Sequence, residues 1–260
     1  MKAIVFTGPK KIEVRELPLP KAEPGKALIK VTHAGVCGSD LTIYLGYHPR
    51  ATAPLILGHE FGGHLAEDIP GLPKGSPVTV NPLFSCGICD ACKSGNAHVC
   101  ETLKLIGIDS DGGMAEYALV PYENIVAVPE NVPPKRAAFI EPIAVAVHTL
   151  RERNFIPGDN ALILGAGAIG LSIALTLREF GASEVTVCEP NTARLNIAAE
   201  LGFKTYQTDE NLLQKLLDQT NGKGFDFVFD CAGHQSVAEM LPDLVKVRGK
   251  IIIVAGYKNP

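Results

Sequence analysis

The chain has no marked surplus of either charge. Its 24 Lys and Arg stand against 28 Asp and Glu, a formal net charge of −4 spread without long runs. The basic footprint of a nucleic-acid binder is therefore missing. No run approaches the ~20 consecutive apolar residues that a membrane span needs. One apolar stretch, 161–177, is broken by Gly165, Gly167, Gly170, Ser172 and Thr176 and reads as a buried strand followed by a helix. The opening Met1-Lys2-Ala3-Ile4-Val5-Phe6 has neither the apolar core nor the small-residue cleavage site of a signal peptide. Internal repeats and low-complexity linkers are absent as well. What is present is a 260-residue chain, 46% apolar and 20% charged. That is enough for one large domain or two ordinary ones with a sizeable core.

Cysteine is the exception to this even texture. There are seven, and Cys86, Cys89, Cys92 and Cys100 are clustered. An odd count, clustered, in a chain without a secretory signal favours metal over disulfides and a reducing cytosol. Four thiolates in one loop can close a tetrahedral zinc site with no position left for substrate, so its role is structural. On ligands alone an iron–sulfur cluster remains the alternative. Unligated cysteines, packed or exposed by chance, are the bland one.

Residues 1–140 read as β-rich. Strand-like runs recur at 3–6, 27–34, 78–81, 115–120 and 125–128, separated by Pro, Gly and Asp/Asn turns. Such spacing predicts an irregular barrel or sandwich. From Lys135 the texture changes. Residues 135–154 read as helix, with Pro142 near its start, where a missing N–H is tolerated. Strands at 160–164, 184–189, 205–206, 225–231 and 250–255 then alternate with helices at 168–180, 192–201, 211–220 and 236–245. Alternation of this kind predicts a parallel sheet covered on both faces.

Two further stretches carry chemistry. Gly58-His59-Glu60 ends the apolar run 54–57. Alone, such a pair is more often two solvated side chains than a metal site. Cys37 upstream and Glu141 downstream complete a thiolate, imidazole and carboxylate set of the kind zinc takes in an open, catalytic site. The second stretch, Gly165-Ala166-Gly167-Ala168-Ile169-Gly170, fits G-x-G-x-x-G between a strand-like and a helical run. Gly165 suits the tight turn, Gly167 the approach of a pyrophosphate, and Gly170 close helix–strand packing. The helix N-terminus would face the phosphates. Glu189, about 20 residues on, is placed to accept from a ribose hydroxyl and to repel a 2′-phosphate. NAD is thus favoured over NADP, with Arg194 the competing feature.

Together these residues resemble the zinc-containing medium-chain dehydrogenases of the alcohol, sorbitol and threonine dehydrogenase type. The matching pieces are Gly35-Val36-Cys37-Gly38-Ser39-Asp40, Gly58-His59-Glu60-Phe61-Gly62-Gly63, the four-cysteine loop, residues 141–148 and the Gly165–Gly170 loop with Glu189. They span nearly the whole chain in the family's order. The resemblance implies a GroES-like β-barrel catalytic domain over 1–140 and a Rossmann doubly wound parallel sheet over 141–260, with the active site in the cleft between them. It implies a catalytic zinc on Cys37, His59 and either or both of Glu60 and Glu141, with Glu141 pointing to the polyol branch. It further implies that Ser39 contacts the substrate alcohol and begins the proton path, that Asp40 orients a metal ligand, and that Ile169, Glu189 and Arg194 touch the cofactor. The implied reaction moves a hydride between a secondary alcohol or polyol, or an amino alcohol, and NAD, with zinc lowering the pKa of the alcohol.

Two departures from the family stand out. Thr42 occupies a position where many relatives carry a proton-relaying histidine, and His48 nearby reads as a surface residue. The chain also ends at Gly256-Tyr257-Lys258-Asn259-Pro260, where relatives continue through more of the sheet and the dimer edge. It reads as a fragment or truncated gene product with an incomplete second domain and an open sheet edge. The alternative function is accordingly a weak or inactive zinc- and nucleotide-binding remnant. Tyr44, Tyr47, Leu57 and Phe61 shape specificity or pack the core; both readings stay open.

Overall fold

A computed structural model describes residues 1–257; Lys258, Asn259 and Pro260, the ending singled out above, lie outside the described residues. The chain divides into two compact units, Met1–Glu141 and the stretch from Pro142 on.

The first unit is built from short strands: β1 (Lys2–Gly8), β2 (Lys11–Glu16), β3 (Lys26–Ala34), β4 (Leu55–Ile56), β5 (Phe61–Leu65), β6 (Pro77–Val80), β7 (Leu83–Phe84), β8 (Lys104–Leu105), β9 (Tyr117–Pro121) and β10 (Ile125–Ala127). Helices α1 (Gly38–Tyr44), α2 (Asp90–Lys93) and α3 (Pro134–Ala137) are brief. The main sheet is antiparallel in the order β10-β6-β5-β3-β9, with a second sheet β2-β1-β4. Ala27, Ile29, Phe61, Leu65, Val78 and Val120 fill the sheet core. Each fully buried Ile, Leu, Val or Phe adds roughly 1.5–3 kcal/mol.

β5 was not legible as a strand, because Phe61-Gly62-Gly63-His64-Leu65 lacks the β-branched residues that mark one. Its glycines are there for contact. A Cβ on Gly63 would strike the Lys30 carbonyl of β3, and one on Gly62 would meet Ala137. Leu57 and Phe61 are core residues at 1% and 0% exposure, which decides their reading as packing. Tyr47 is 74% exposed.

The helix expected over 135–154 is two pieces, α3 and α4 (Ile140–Arg151). The break falls at Ala138-Phe139, ahead of Pro142, which lacks the N–H that a continuous helix would bond back.

The second unit follows the expected alternation: β11 (Asn160–Leu164), α5 (Ala168–Glu179), β12 (Glu184–Glu189), α6 (Thr192–Glu200), β13 (Lys204–Gln207), α7 (Leu212–Gln219), β14 (Phe225–Asp230), α8 (Gln235–Leu244) and β15 (Val245–Ile253). The sheet is parallel in the order β13-β12-β11-β14-β15. This is the doubly wound order that reverses direction beside its first strand. Both faces are covered. Ala161 and Ile163 of β11 pack with α4 and α5 residues, and Leu162 and Leu164 pack with Leu212, Leu216 and Leu241 of α7 and α8. Period-two alternation on a strand buried from both sides gives the continuous apolar run Ala161-Leu162-Ile163-Leu164. β15 starts five residues earlier than expected, directly at the end of α8. Arg248, at φ 68°, kinks it, and its register against β14 shifts. That kink hid the strand's first half. β15 is the sheet edge among the described residues, and Val247 and Ile253 are exposed on it.

Candidate metal centres and nucleotide loop

The first cluster gathers at the rim of β3. After β3 the chain turns through Gly35 and starts α1, with Cys37 as the residue before the helix. The Asp40 carboxylate reaches back, and its Oδ2 accepts from the Cys37 N–H at 2.8 Å. This fixes the position from which the thiol projects. His59 and Glu60 arrive on the turn between β4 and β5. Gly58 makes that turn at φ 96°, with no room for a Cβ beside Met114. Asp111 holds the approach, since its Oδ1 accepts from the Ile56 N–H at 2.9 Å.

One ligand atom each of Cys37, His59 and Glu60 lie within 4.8 Å of one another. His59 is 6% exposed, and its Nδ1 has no hydrogen-bond partner; neither does Oδ1 of Asp40, which is 4% exposed. Orphaned buried polar atoms are costly and call for a partner. A thiolate, an imidazole and a carboxylate within reach of one point suit zinc in an open site. The Ser39 hydroxyl stands 3.5 Å from His59 Nε2. A Cβ on Gly35 would fall on the Glu60 carboxylate, so that glycine makes the room Glu60 occupies.

Glu141, in the first turn of α4, lies outside that mutual 4.8 Å group. It is close enough to feel the group electrostatically. Burial pushes its carboxyl up, the His59 ring pulls it down, and Glu60 pushes it up again. Burial likewise raises the Cys37 thiol, against hydrogen bonds from Ser39 that lower it; the Glu60 charge adds to the rise. An apolar, anionic surrounding of this kind favours a cation at its centre.

The Thr42 hydroxyl donates to the Gly38 carbonyl at 3.1 Å, one turn back on its own helix. His48 is a turn cap: its Nδ1 accepts from the N–H groups of Arg50 and Ala51, each at 3.3 Å. Its pKa is lowered, chiefly by burial.

The second cluster is local. Cys86, Cys89, Cys92 and Cys100 also place ligand atoms within 4.8 Å of one another. The Sγ atoms of Cys86 and Cys92 are 4.0 Å apart and those of Cys89 and Cys100 3.9 Å. Tetrahedral zinc with Zn–S bonds of about 2.3 Å requires sulfur–sulfur edges of about 3.8 Å. Backbone amides already point at the sulfurs, with the Cys86 N–H on Cys100 Sγ and the Cys89 N–H on Cys86 Sγ. The Cys86 amide is the main reason the Cys100 thiol falls to about 6, whereas burial and the neighbouring thiols lift Cys92 to about 11. All seven cysteines are free.

In the second unit, the Gly165–Gly170 loop joins β11 to α5 as expected. Gly165 has φ 108°, and its would-be Cβ meets the backbone of Cys231 and Ala232 at 3.0–3.1 Å. A Cβ on Gly170 would strike the Gly165 carbonyl, while one on Gly167 would have open space around it. The three glycines thus serve turn, open approach and helix packing in that order. Glu189 ends β12 at 4% exposure. Its Oε2 accepts from the Ala166 N–H at 2.8 Å and its Oε1 from Asn191 at 3.0 Å. Sequence reasoning placed it for a ribose and missed that it also clamps the loop. Arg194 is exposed in the first turn of α6, where its N–H is capped by the Asn191 side chain.

A β-rich unit with one open and one closed metal-ligand cluster, followed by a doubly wound sheet with a phosphate loop, defines a zinc-binding, nicotinamide-dependent dehydrogenase. Residues 23–130 match the alcohol dehydrogenase GroES-like domain, and residues 168–260 match the zinc-binding dehydrogenase family. L-threonine 3-dehydrogenase of Pyrococcus furiosus is 35% identical over 263 residues, covering 98% of this chain and 75% of the relative. A Sinorhizobium meliloti 1021 protein solved with NADP superposes with a TM-score of 0.92 at 31% identity, over 99% of this chain and 77% of that one. The rspB alcohol dehydrogenase of Escherichia coli CFT073, complexed with NADH, gives 0.91 at 32% identity, over 100% and 77%. The chain belongs to the zinc-containing medium-chain dehydrogenase family. No helix among the described residues is long and apolar enough to cross a membrane.

Proposed function

We propose that this chain is a zinc-dependent oxidoreductase that moves a hydride between a secondary alcohol, in a polyol or amino alcohol, and NAD. The single observation that carries the reading is the Cys37, His59 and Glu60 group, with its orphaned His59 Nδ1 and the Ser39 hydroxyl alongside. The unit Met1–Glu141 is then the catalytic domain and that from Pro142 on the dinucleotide-binding one.

Cys37, His59 and Glu60 hold the catalytic metal, and Glu141 is the acid that can exchange with Glu60. A bound zinc would supply Lewis-acid polarisation of the alcohol oxygen, which lowers its pKa toward neutrality. Ser39 orients the alcohol and takes its proton onward. Asp40 positions both sides of the site: one oxygen fixes the Cys37 backbone, and the other is free to serve a ligand. The back-bonded Thr42 hydroxyl must leave Gly38 before it can pass a proton on. Cys86, Cys89, Cys92 and Cys100 hold a structural zinc that pins their loop. Gly165, Gly167, Ala168, Ile169 and Gly170 receive the pyrophosphate, and Glu189 and Arg194 flank the adenosine ribose. Seven free thiols suit a reducing cytoplasm.

The test is direct. Purified chain with measured zinc content is offered secondary alcohols, polyols and β-hydroxy amino acids with NAD or NADP, and NADH or NADPH formation is followed. Zinc-dependent turnover with NAD supports the proposal; a zinc-loaded chain inert to the whole panel with both cofactors refutes it.

A further inference from the structure

The glycine loop is held from both sides by a buried carboxylate, and only one of the two has a part so far. β11 carries the loop. Its neighbours β12 and β14 end in Glu189 and Asp230, at 4% and 0% exposure. Asp230 is paired with Leu164, the last residue of β11. Its Oδ1 accepts from the N–H groups of Ala232 at 2.9 Å and Gly233 at 3.0 Å. Its Oδ2 accepts from the Tyr257 hydroxyl. Its backbone carbonyl accepts from Val254 and Ala255, where the chain leaves β15. One residue thus ties the exits of β14 and β15 together.

What it ties is pressed against the loop. The Cys231 N–H donates to the Leu164 carbonyl at 2.9 Å, and the 231–232 backbone lies so close that a Cβ on Gly165 would meet it at 3.0–3.1 Å. Between β11 and β14 the strand order reverses. In open α/β sheets the ligand crevice lies outside the strand ends at that point. A buried charge is expensive unless fully hydrogen-bonded, and here every bond that satisfies it shapes this crevice wall.

We propose that Asp230 is a positioning residue for the dinucleotide: through the main chain of 231–233 it holds the wall that backs Gly165, as Glu189 holds Ala166 from the other side. The inference rests on the dinucleotide-binding reading of this sheet. Asp230 acts through the main chain, keeping the loop amides aimed.

The test is NADH binding, followed by fluorescence titration, in the full chain and in Asp230→Ala, Asp230→Asn, Tyr257→Phe and Asp226→Ala. Asp226 is the matched control. It stands at the other end of β14, bonded to the Asn160 N–H and the Lys246 ammonium, away from the loop. Unfolding midpoints are measured alongside. Asp230→Ala should weaken NADH binding about tenfold or more, since it strands the Ala232 and Gly233 amides that hold the wall behind Gly165. Asp230→Asn keeps an acceptor oxygen and should stay within about threefold. Tyr257→Phe should fall between the two. Asp226→Ala should lower the unfolding midpoint yet leave NADH affinity within about twofold.

Unchanged affinity in Asp230→Ala overturns the inference, and so does an equal loss from Asp226→Ala. Should Asp230→Ala not fold, Asn and Phe variants that bind no differently from each other and from wild type overturn it. Failure of the wild-type chain to bind NADH or NADPH would instead remove the dinucleotide reading itself.

Discussion

The first unit holds two clusters of metal-ligating side chains, built in opposite ways. The four-cysteine loop takes all its ligands from one short segment, and its amides already face the sulfurs. The Cys37, His59 and Glu60 group takes its ligands from two segments that meet only when β3 and β5 pair, and its imidazole is buried with an atom unpartnered. On the proposed reading, a metal in the local cluster pins a loop with little regular structure of its own. On the same reading, the distributed cluster is ordered by the sheet and takes its metal for chemistry. Ligation that creates structure and ligation that uses structure should therefore fail differently.

That difference can be broken or sharpened by experiment. The largest effect is expected from Cys92→Ser. It should lower unfolding free energy by more than about 4 kcal/mol or abolish soluble yield, read by urea denaturation with zinc analysis. A Cys92→Ser protein of wild-type stability would erase the distinction. Cys37→Ser should cut turnover about 1000-fold, since several kcal/mol of polarisation are lost, while the structural zinc and the melting temperature stay. Equal loss of fold from both variants would mean one site, not two. Asp40→Ala should weaken catalytic-metal affinity by about 10–100-fold in competitive chelation and spare the four-cysteine zinc. Gly35→Ala should cost about 1–3 kcal/mol and lower the catalytic zinc content, because the new methyl displaces the Glu60 carboxylate. The smallest effect concerns reactivity. Burial lifts the Cys188 and Cys231 thiols to about 12. At pH 8 only about 1 in 10,000 of each is thiolate. Removing zinc with a chelator should therefore make the loop cysteines label rapidly with a thiol reagent, while those two stay unreacted until the protein unfolds.

Legibility followed the same local–distributed line. The four-cysteine spacing, the G-x-G-x-x-G loop and the strand–helix alternation all express short-range rules, and they were readable from sequence. β2 went unseen because Lys11-Ile12-Glu13-Val14-Arg15-Glu16 is exposed throughout and buries no face. β5 went unseen because its glycines answer to the Lys30 carbonyl and to Ala137, partners no window of sequence contains. The bonds of Glu189 and Asp230 to the loop amides were hidden for the same reason: what their carboxylates bond is decided by turns on neighbouring strands. The company of Cys37, His59 and Glu60 was suggested by residue type and sharpened by resemblance, since no local spacing links Cys37 to the pair. Glu141 stands slightly apart from them, which composition could not foretell.

The backbone behind His59 has one further consequence. A Cβ on Gly107 or Gly112 would strike the main chain of Gly58, one on Gly113 would strike Phe61, and one on Gly35 would strike Glu60. Behind Gly58 main chain lies on main chain through Gly107 and Gly112, while Gly35 and Gly113 leave room for the Glu60 and Phe61 side chains. A side chain added at any of these four glycines would press on the 58–61 turn that carries His59 and Glu60, so a library aimed at new substrates should leave them untouched.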